Sequence, residues 1–231
     1  MTFGVGDYTV DMRTNDHVFG TPSARYAVLE MGMNHAGEIT PLTRLVRPHV
    51  VIITTIAPVH LEFFKSIAGI ADAKAEIFSG VEPGGAALIN RDIAQYARLQ
   101  KAAKAAGVGR IVSFGENARA EARLIKCALQ SESSTVQARI LGVDVTYKLG
   151  APGRHMVLNS LAVLAAVALA GGDLALAALA LSELKPAVGR GERLKLHVPG
   201  GEALLIDESY NANPASMRAA IALLAQAEIG P

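Results

Sequence analysis

Two side chains far apart in this chain have the chemistry and the placement to hold a divalent cation. Glu30 closes the apolar run in Leu29-Glu30-Met31-Gly32, and His60 follows the β-branched run that ends at Ile56, in Ala57-Pro58-Val59-His60-Leu61. Both are expected just past the carboxyl ends of neighbouring parallel strands, where open α/β sheets bind ligands. A carboxylate and an imidazole converging there suit a metal ion. Taken singly, each has a plainer reading: a solvated strand end for Glu30, a hydrogen-bonded histidine at a helix start for His60.

Lys74 stands out for a different reason. It lies four residues after Ile70 and three before Ile77, so it shares the apolar stripe of Ile70, Ala73, Ile77, Phe78 and Val81. An ammonium on such a stripe must snorkel, pair or change its chemistry. Burial lowers a lysine pKa, and the neutral amine can act as a nucleophile or take up carbon dioxide.

A binding loop is expected near the C-terminus. The apolar run Leu204-Leu205-Ile206 leads into Asp207-Glu208-Ser209-Tyr210-Asn211-Ala212-Asn213-Pro214. The run reads as a strand buried on both faces, as in a parallel sheet. A carboxylate, a phenol and two amides then gather at its end, and Pro214 can open the next helix. Asn159, near the start of a Leu- and Ala-rich helix, could read a purine edge as asparagine does with adenine. Arg190, in Val188-Gly189-Arg190-Gly191-Glu192, suits a phosphate contact. A loop-bonded amide and an exposed loop arginine are the plain alternatives.

The elements that must position these residues alternate. Strands are expected at Tyr26 to Glu30, His49 to Ile56, Ala86 to Ile89 and Arg110 to Ser113, with helices at Glu38 to Val46, Ser66 to Val81 and Ile93 to Ala106. That alternation predicts an α/β fold with a mostly parallel sheet flanked by helices. Residues of about 118–149 alternate with period two and read as a small antiparallel β insertion. Helices return from His155 and strands at Arg193 to Val198 and Ala203 to Ile206. Residues 1–24 are polar and aperiodic and read as an irregular segment. The expected division is residues 25–206 as a central domain and 207–231 as a hinge and the first helix of another.

Composition removes several function classes. The chain has 231 residues, 22 basic and 21 acidic, for a net charge of +1. That balance supplies no nucleic-acid or membrane surface. Tryptophan is absent and aromatics are 5%, which argues against base-stacking platforms. Cys127 is the single cysteine, so no internal disulfide forms, as suits a reducing compartment. Gly171-Gly172-Asp173 breaks the apolar stretch Leu161 to Leu181 into two pieces, each too short for a bilayer. No basic segment followed by an apolar one opens the chain, so a cytoplasmic location is expected.

Four spaced runs carry a family resemblance: Glu30-Met31-Gly32-Met33-Asn34-His35-Ala36-Gly37-Glu38-Ile39, Ala57-Pro58-Val59-His60-Leu61, Ala73-Lys74-Ala75-Glu76-Ile77-Phe78, and Asp207 to Pro214. Together they resemble the central domain of the Mur ligases, ATP-dependent amide-forming enzymes of peptidoglycan synthesis with a P-loop-NTPase-like fold. The likeness is to the dipeptide-adding branch and covers roughly residues 25–226.

The resemblance implies ATP and Mg2+ as cofactors, with UDP-N-acetylmuramoyl-tripeptide and D-alanyl-D-alanine as substrates. It implies that Glu30 and His60 help bind magnesium. Lys74 would be carbamylated and also serve the metal, so Lys74 and His60 are the expected catalytic pair. Asn159 would meet adenine, Asp207 the ribose and Arg190 the phosphates, with Tyr210 and Asn211 in the same nucleotide-binding loop. No Gly-x-x-x-x-Gly-Lys-Ser/Thr phosphate cradle is present. A central-domain portion inactive by itself is therefore expected. The alternatives are a non-catalytic nucleotide- or metal-binding module and a Mur-type ligase for another amino acid.

Overall fold

The computed structural model describes residues 2–5, 8–11, 26–58, 63–185, 189, 191–199, 201–210 and 214–225. The chain opens with a hairpin, β1 (Thr2–Val5) paired antiparallel with β2 (Tyr8–Asp11). The aperiodic reading of residues 1–24 missed this, because each strand is too short for alternation to register.

From residue 39 the alternation is realised. Helix α1 (Ile39–Val46) precedes β3 (Val50–Ile53), α2 (Ile67–Ala75) and a 3-10 turn (Glu76–Gly80). Then come β4 (Ala86–Asn90), α3 (Tyr96–Ala105) and β5 (Arg110–Gly115). Strands β3, β4 and β5 pair in parallel, Val51 against Ala87 and Ala87 against Ile111. Ser66 caps α2 by accepting the Gly69 N–H at 3.1 Å. The expected helix Ser66 to Val81 is thus α-helical only to Ala75, and its last turn tightens.

The antiparallel segment of about 118–149 is present as expected and is joined to the parallel sheet. Strand β6 (Ala122–Leu129) runs parallel to β5 through Phe114–Ala122 and Gly115–Arg123. Strands β7 (Ser134–Ile140) and β8 (Val143–Leu149) then continue the same sheet antiparallel, in the order β3-β4-β5-β6-β7-β8.

Period-two burial splits the core between the two faces of this sheet. On one face Leu88, Val112, Phe114, Val136, Ile140 and Leu149 pack under α4 (Arg154–Leu169) and α5 (Leu174–Ala180). On the other, Val51, Ile53, Ala87 and Ile89 meet Ile70, Ala73 and Phe78 of the α2 segment and Leu99 of α3. Asp173 caps α5 by accepting N–H groups of Ala175 and Leu176, so the Gly171-Gly172-Asp173 break is a true helix boundary. No helix among the described residues is long and apolar enough to cross a membrane.

Two strand expectations fail. Tyr26 to Glu30 forms no strand, and Tyr26 and Val28 are 53% and 64% exposed. An apolar run becomes a strand only where a neighbour completes its hydrogen-bond ladder. Leu204 to Ile206 is a strand, but not one buried in the parallel sheet. It lies in β10 (Gly201–Asp207), paired antiparallel with β9 (Glu192–Val198), with Leu204 45% and Leu205 44% exposed. The sequence signal for this hairpin is Pro199-Gly200-Gly201 between two apolar runs. Helix α6 (Pro214–Leu224) opens at the expected proline.

Candidate functional site

Lys74 lies within electrostatic reach of Glu30. Lys74 sits near the end of α2, half-buried beside the buried Ile70, Ala73 and Phe78. Burial pushes its ammonium pKa down, and the nearby negative charge of Glu30 pulls it partly back up. The apolar stripe on which Lys74 was expected is the buried face of α2, where Ile70 and Ala73 pack. Glu30 itself is exposed. His60 lies outside the described residues, as do Arg190 and Asn211.

Two runs of the motif set are physically joined. The Glu76 carboxylate, two residues past Lys74, accepts the Gly37 N–H at 2.6 Å, the Thr40 N–H at 3.1 Å and the Thr40 hydroxyl at 3.0 Å. Within the loop, Glu38 accepts N–H groups of Asn34 at 2.7 Å and His35 at 3.1 Å, and its Oε1 lies 3.1 Å from His35 Nδ1. The Asn34 N–H above all, then those from His35, hold the Glu38 carboxyl below its usual range. The His35 ring packs at 4.5 Å on Phe63. Glu30 is thus followed by a loop tied to the helix that carries Lys74.

Sequence reasoning missed a second network at the strand ends. Asn90, last in β4, donates to the Thr54 carbonyl at 2.8 Å and accepts the Asp92 N–H at 2.8 Å. Asp92 accepts N–H groups of Glu116 at 2.6 Å and Asn117 at 2.9 Å. Arg154, first in α4, forks onto Glu116 at 2.6 and 2.7 Å. These bonds link the ends of β3, β4 and β5 to the helix bearing Asn159. A signal was available: Asn90-Arg91-Asp92 is a polar group after a buried strand, the logic already applied to Glu30. Gly115 permits the arrangement, with φ of +140° and no room for a Cβ against the Asp92 carboxylate. Gly115→Ala is expected to cost about 2–3 kcal/mol of stability, read from the urea midpoint.

Asn159 is half-buried in the second turn of α4. Beyond it, Asp207 ends β10 and accepts the Ser209 N–H at 2.9 Å. Hydrogen bonds from the Ser209 side chain and backbone hold the Asp207 carboxyl low. Burial, and then the Asp207 charge, push Glu208 up. The turn is stapled to the glycines on either side of position 190. Gly191 N–H donates to the Asp207 carbonyl at 2.8 Å, and Tyr210 N–H to the Gly189 carbonyl at 3.0 Å. At Gly189, φ is +71° and a Cβ would lie 3.0 Å from Tyr210 Cβ, so this approach requires glycine.

Among the described residues no group of three or more His, Cys, Asp or Glu could hold a metal. The donor set near Lys74 therefore fits a divalent cation on one condition. A plain ammonium repels the ion, whereas a lysine carbamate adds anionic oxygen beside Glu30. The depressed ammonium pKa favours the neutral amine that forms such a carbamate.

A six-stranded, mostly parallel sheet flanked by helices defines a class of fold, and comparison with known proteins identifies it. The Mur ligase middle-domain model matches residues 10–167, and the chain belongs to that family. It is 37% identical over 206 residues to UDP-N-acetylmuramoyl-tripeptide--D-alanyl-D-alanine ligase of Escherichia coli K12, covering 89% of this chain and 44% of that protein. The chain thus spans less than half the length of that relative. A crystal structure of MurF from Acinetobacter baumannii superposes with a TM-score of 0.80 at 34% identity, over 88% of this chain and 43% of that one. MurF from Thermotoga maritima, solved in complex with ADP, shares the fold with a TM-score of 0.67 at 24% identity, over 84% of this chain and 43% of that one.

Proposed function

We propose that this chain is the ATP-binding central portion of a cytoplasmic ligase that joins D-alanyl-D-alanine to UDP-N-acetylmuramoyl-tripeptide. The observation that carries the reading is the burial of Lys74 on the apolar face of α2, within electrostatic reach of Glu30. The kinship with the Escherichia coli ligase supports the choice of substrates.

In this reading Glu30, His60 and a carbamate on Lys74 would hold Mg2+, which would supply positive charge beside the transferring phosphoryl group. Asn159 takes the adenine edge, Asp207 the ribose and Arg190 the phosphates, with Tyr210 and Asn211 completing the loop. The tripeptide carboxylate attacks the γ-phosphorus of ATP, giving an acyl phosphate and ADP. The amine of the dipeptide then attacks the acyl carbon, and phosphate leaves as the amide forms. The chain's own groups bind and orient, the larger part of catalysis in phosphoryl transfer.

A chimera tests this. The chain replaces the matching region of the Escherichia coli ligase, and pentapeptide product is measured with D-alanyl-D-alanine and a panel of other amines. Activity is expected with the dipeptide, while the isolated chain falls short by at least about 100-fold. A folded chimera that prefers another amine, or full turnover by the isolated chain, contradicts the proposal.

A further inference from the structure

Helix α4 is apolar on every side. From Met156 to Leu169 its only polar side chains are Asn159 and Ser160, and Val163 is 43% exposed. Burial orients an amphipathic helix by its stripe. A helix apolar all round buries nearly as much surface at neighbouring rotations about its axis, so a polar tie must choose among them.

Side-chain hydrogen bonds hold α4 at two places among the described residues. At its exposed first residue, Arg154 forks onto Glu116. The second tie is in the core. The Tyr147 hydroxyl, in β8, lies 2.6 Å from Ser160 Oγ, and the two residues are 5% and 3% exposed. The direction of this bond follows from its neighbours. Ser160 gives its one hydroxyl proton to the Val157 carbonyl at 2.7 Å, and a carbonyl can only accept. Tyr147 must therefore donate to Ser160. Burial, against the Ser160 hydrogen bond, pushes the Tyr147 hydroxyl up to about 12, so it keeps that proton at neutral pH.

Asn159 adjoins Ser160, so its direction depends on the same tie. A rotation of α4 by about 20° would carry a side-chain tip about 2 Å sideways. That exceeds what a hydrogen bond to a base edge tolerates. We infer that Tyr147 is a positioning residue for nucleotide recognition: through Ser160 it sets the rotation of α4 and so presents the Asn159 amide to the adenine edge. The inference rests on the assignment of Asn159 to adenine.

Steady-state kinetics of the chimera with ATP and with GTP test it, with the Tm of each variant measured alongside. Guanine carries an acceptor where adenine carries its amino donor, so an oriented amide separates the two. Tyr147→Phe is expected to lower the kcat/KM preference for ATP over GTP at least about fivefold, with the loss in the KM for ATP rather than in kcat. Ser160→Ala is expected to do the same, and the double variant no more than either alone, since all three remove one bond. Asn159→Ala is expected to lower the preference at least about tenfold. If Asn159→Ala leaves the preference unchanged, the adenine assignment fails and the inference with it. If Asn159→Ala lowers the preference while Tyr147→Phe lowers only Tm or kcat, the inference alone is overturned. Additive losses in the double variant overturn it too.

Discussion

Lys74→Met is expected to make the chain more stable and the ligase chimera nearly inactive. The ammonium of Lys74 is desolvated, and its folded pKa lies below the ordinary lysine value. Between those two pKa values the unfolded state binds more protons, so stability rises with pH across that window. Below the folded pKa both states are protonated and the full cost of burial remains. Methionine fills similar space without charge, so a gain of about 1 kcal/mol is expected at neutral pH. The gain should shrink as pH climbs towards the unfolded pKa. Urea unfolding at a series of pH values measures it. In the chimera the same substitution should lower kcat by at least about 100-fold, since an anionic group serving the transition state is lost. Destabilisation that is flat with pH contradicts the burial argument, and an active variant contradicts the assigned role.

Glu76→Ala should have the next largest effect. Its carboxylate is the shared acceptor for Gly37, Thr40 and the Thr40 hydroxyl. Hydrogen bonds to a charged group contribute about 1.5–3 kcal/mol in favourable cases, and these three are coupled through one side chain. A loss of about 2–3 kcal/mol is expected, with Glu76→Gln losing less because one amide oxygen still accepts. The 34–40 loop should lose protection first, which hydrogen exchange at Gly37 and Thr40 reads directly. Exchange unchanged at those amides would mean the clamp does not order the loop.

The sequence made the strand-end chemistry legible because polar residues after buried runs are locally visible. Glu30 was singled out as the end of an apolar run, which forms no strand, and Lys74 by its place on the helical stripe. The clamp of Glu76 was not, since its partners lie 36 and 39 residues away and no local period marks them. The network from Asn90 through Asp92 and Glu116 to Arg154 is hidden for the same reason, with separations of 24 and 38 in its longer links. The α/β alternation was readable because it depends on period, and β4 is buried on both faces. Pairing partners were harder to read. Leu204 to Ile206 has the apolar character of a parallel-sheet strand, yet it pairs antiparallel with β9. Tyr26 to Glu30 has strand composition without forming a strand.

The assignment of Glu30 and Lys74 to one metal site is tested most directly by carbon-13 NMR of the chain equilibrated with labelled bicarbonate. A carbamate resonance is expected that disappears in Lys74→Met and broadens when Mn2+ is added. In Glu30→Gln the resonance should remain but respond to Mn2+ at concentrations at least about tenfold higher. A chain that shows no carbamate signal, or one indifferent to Mn2+, contradicts the account.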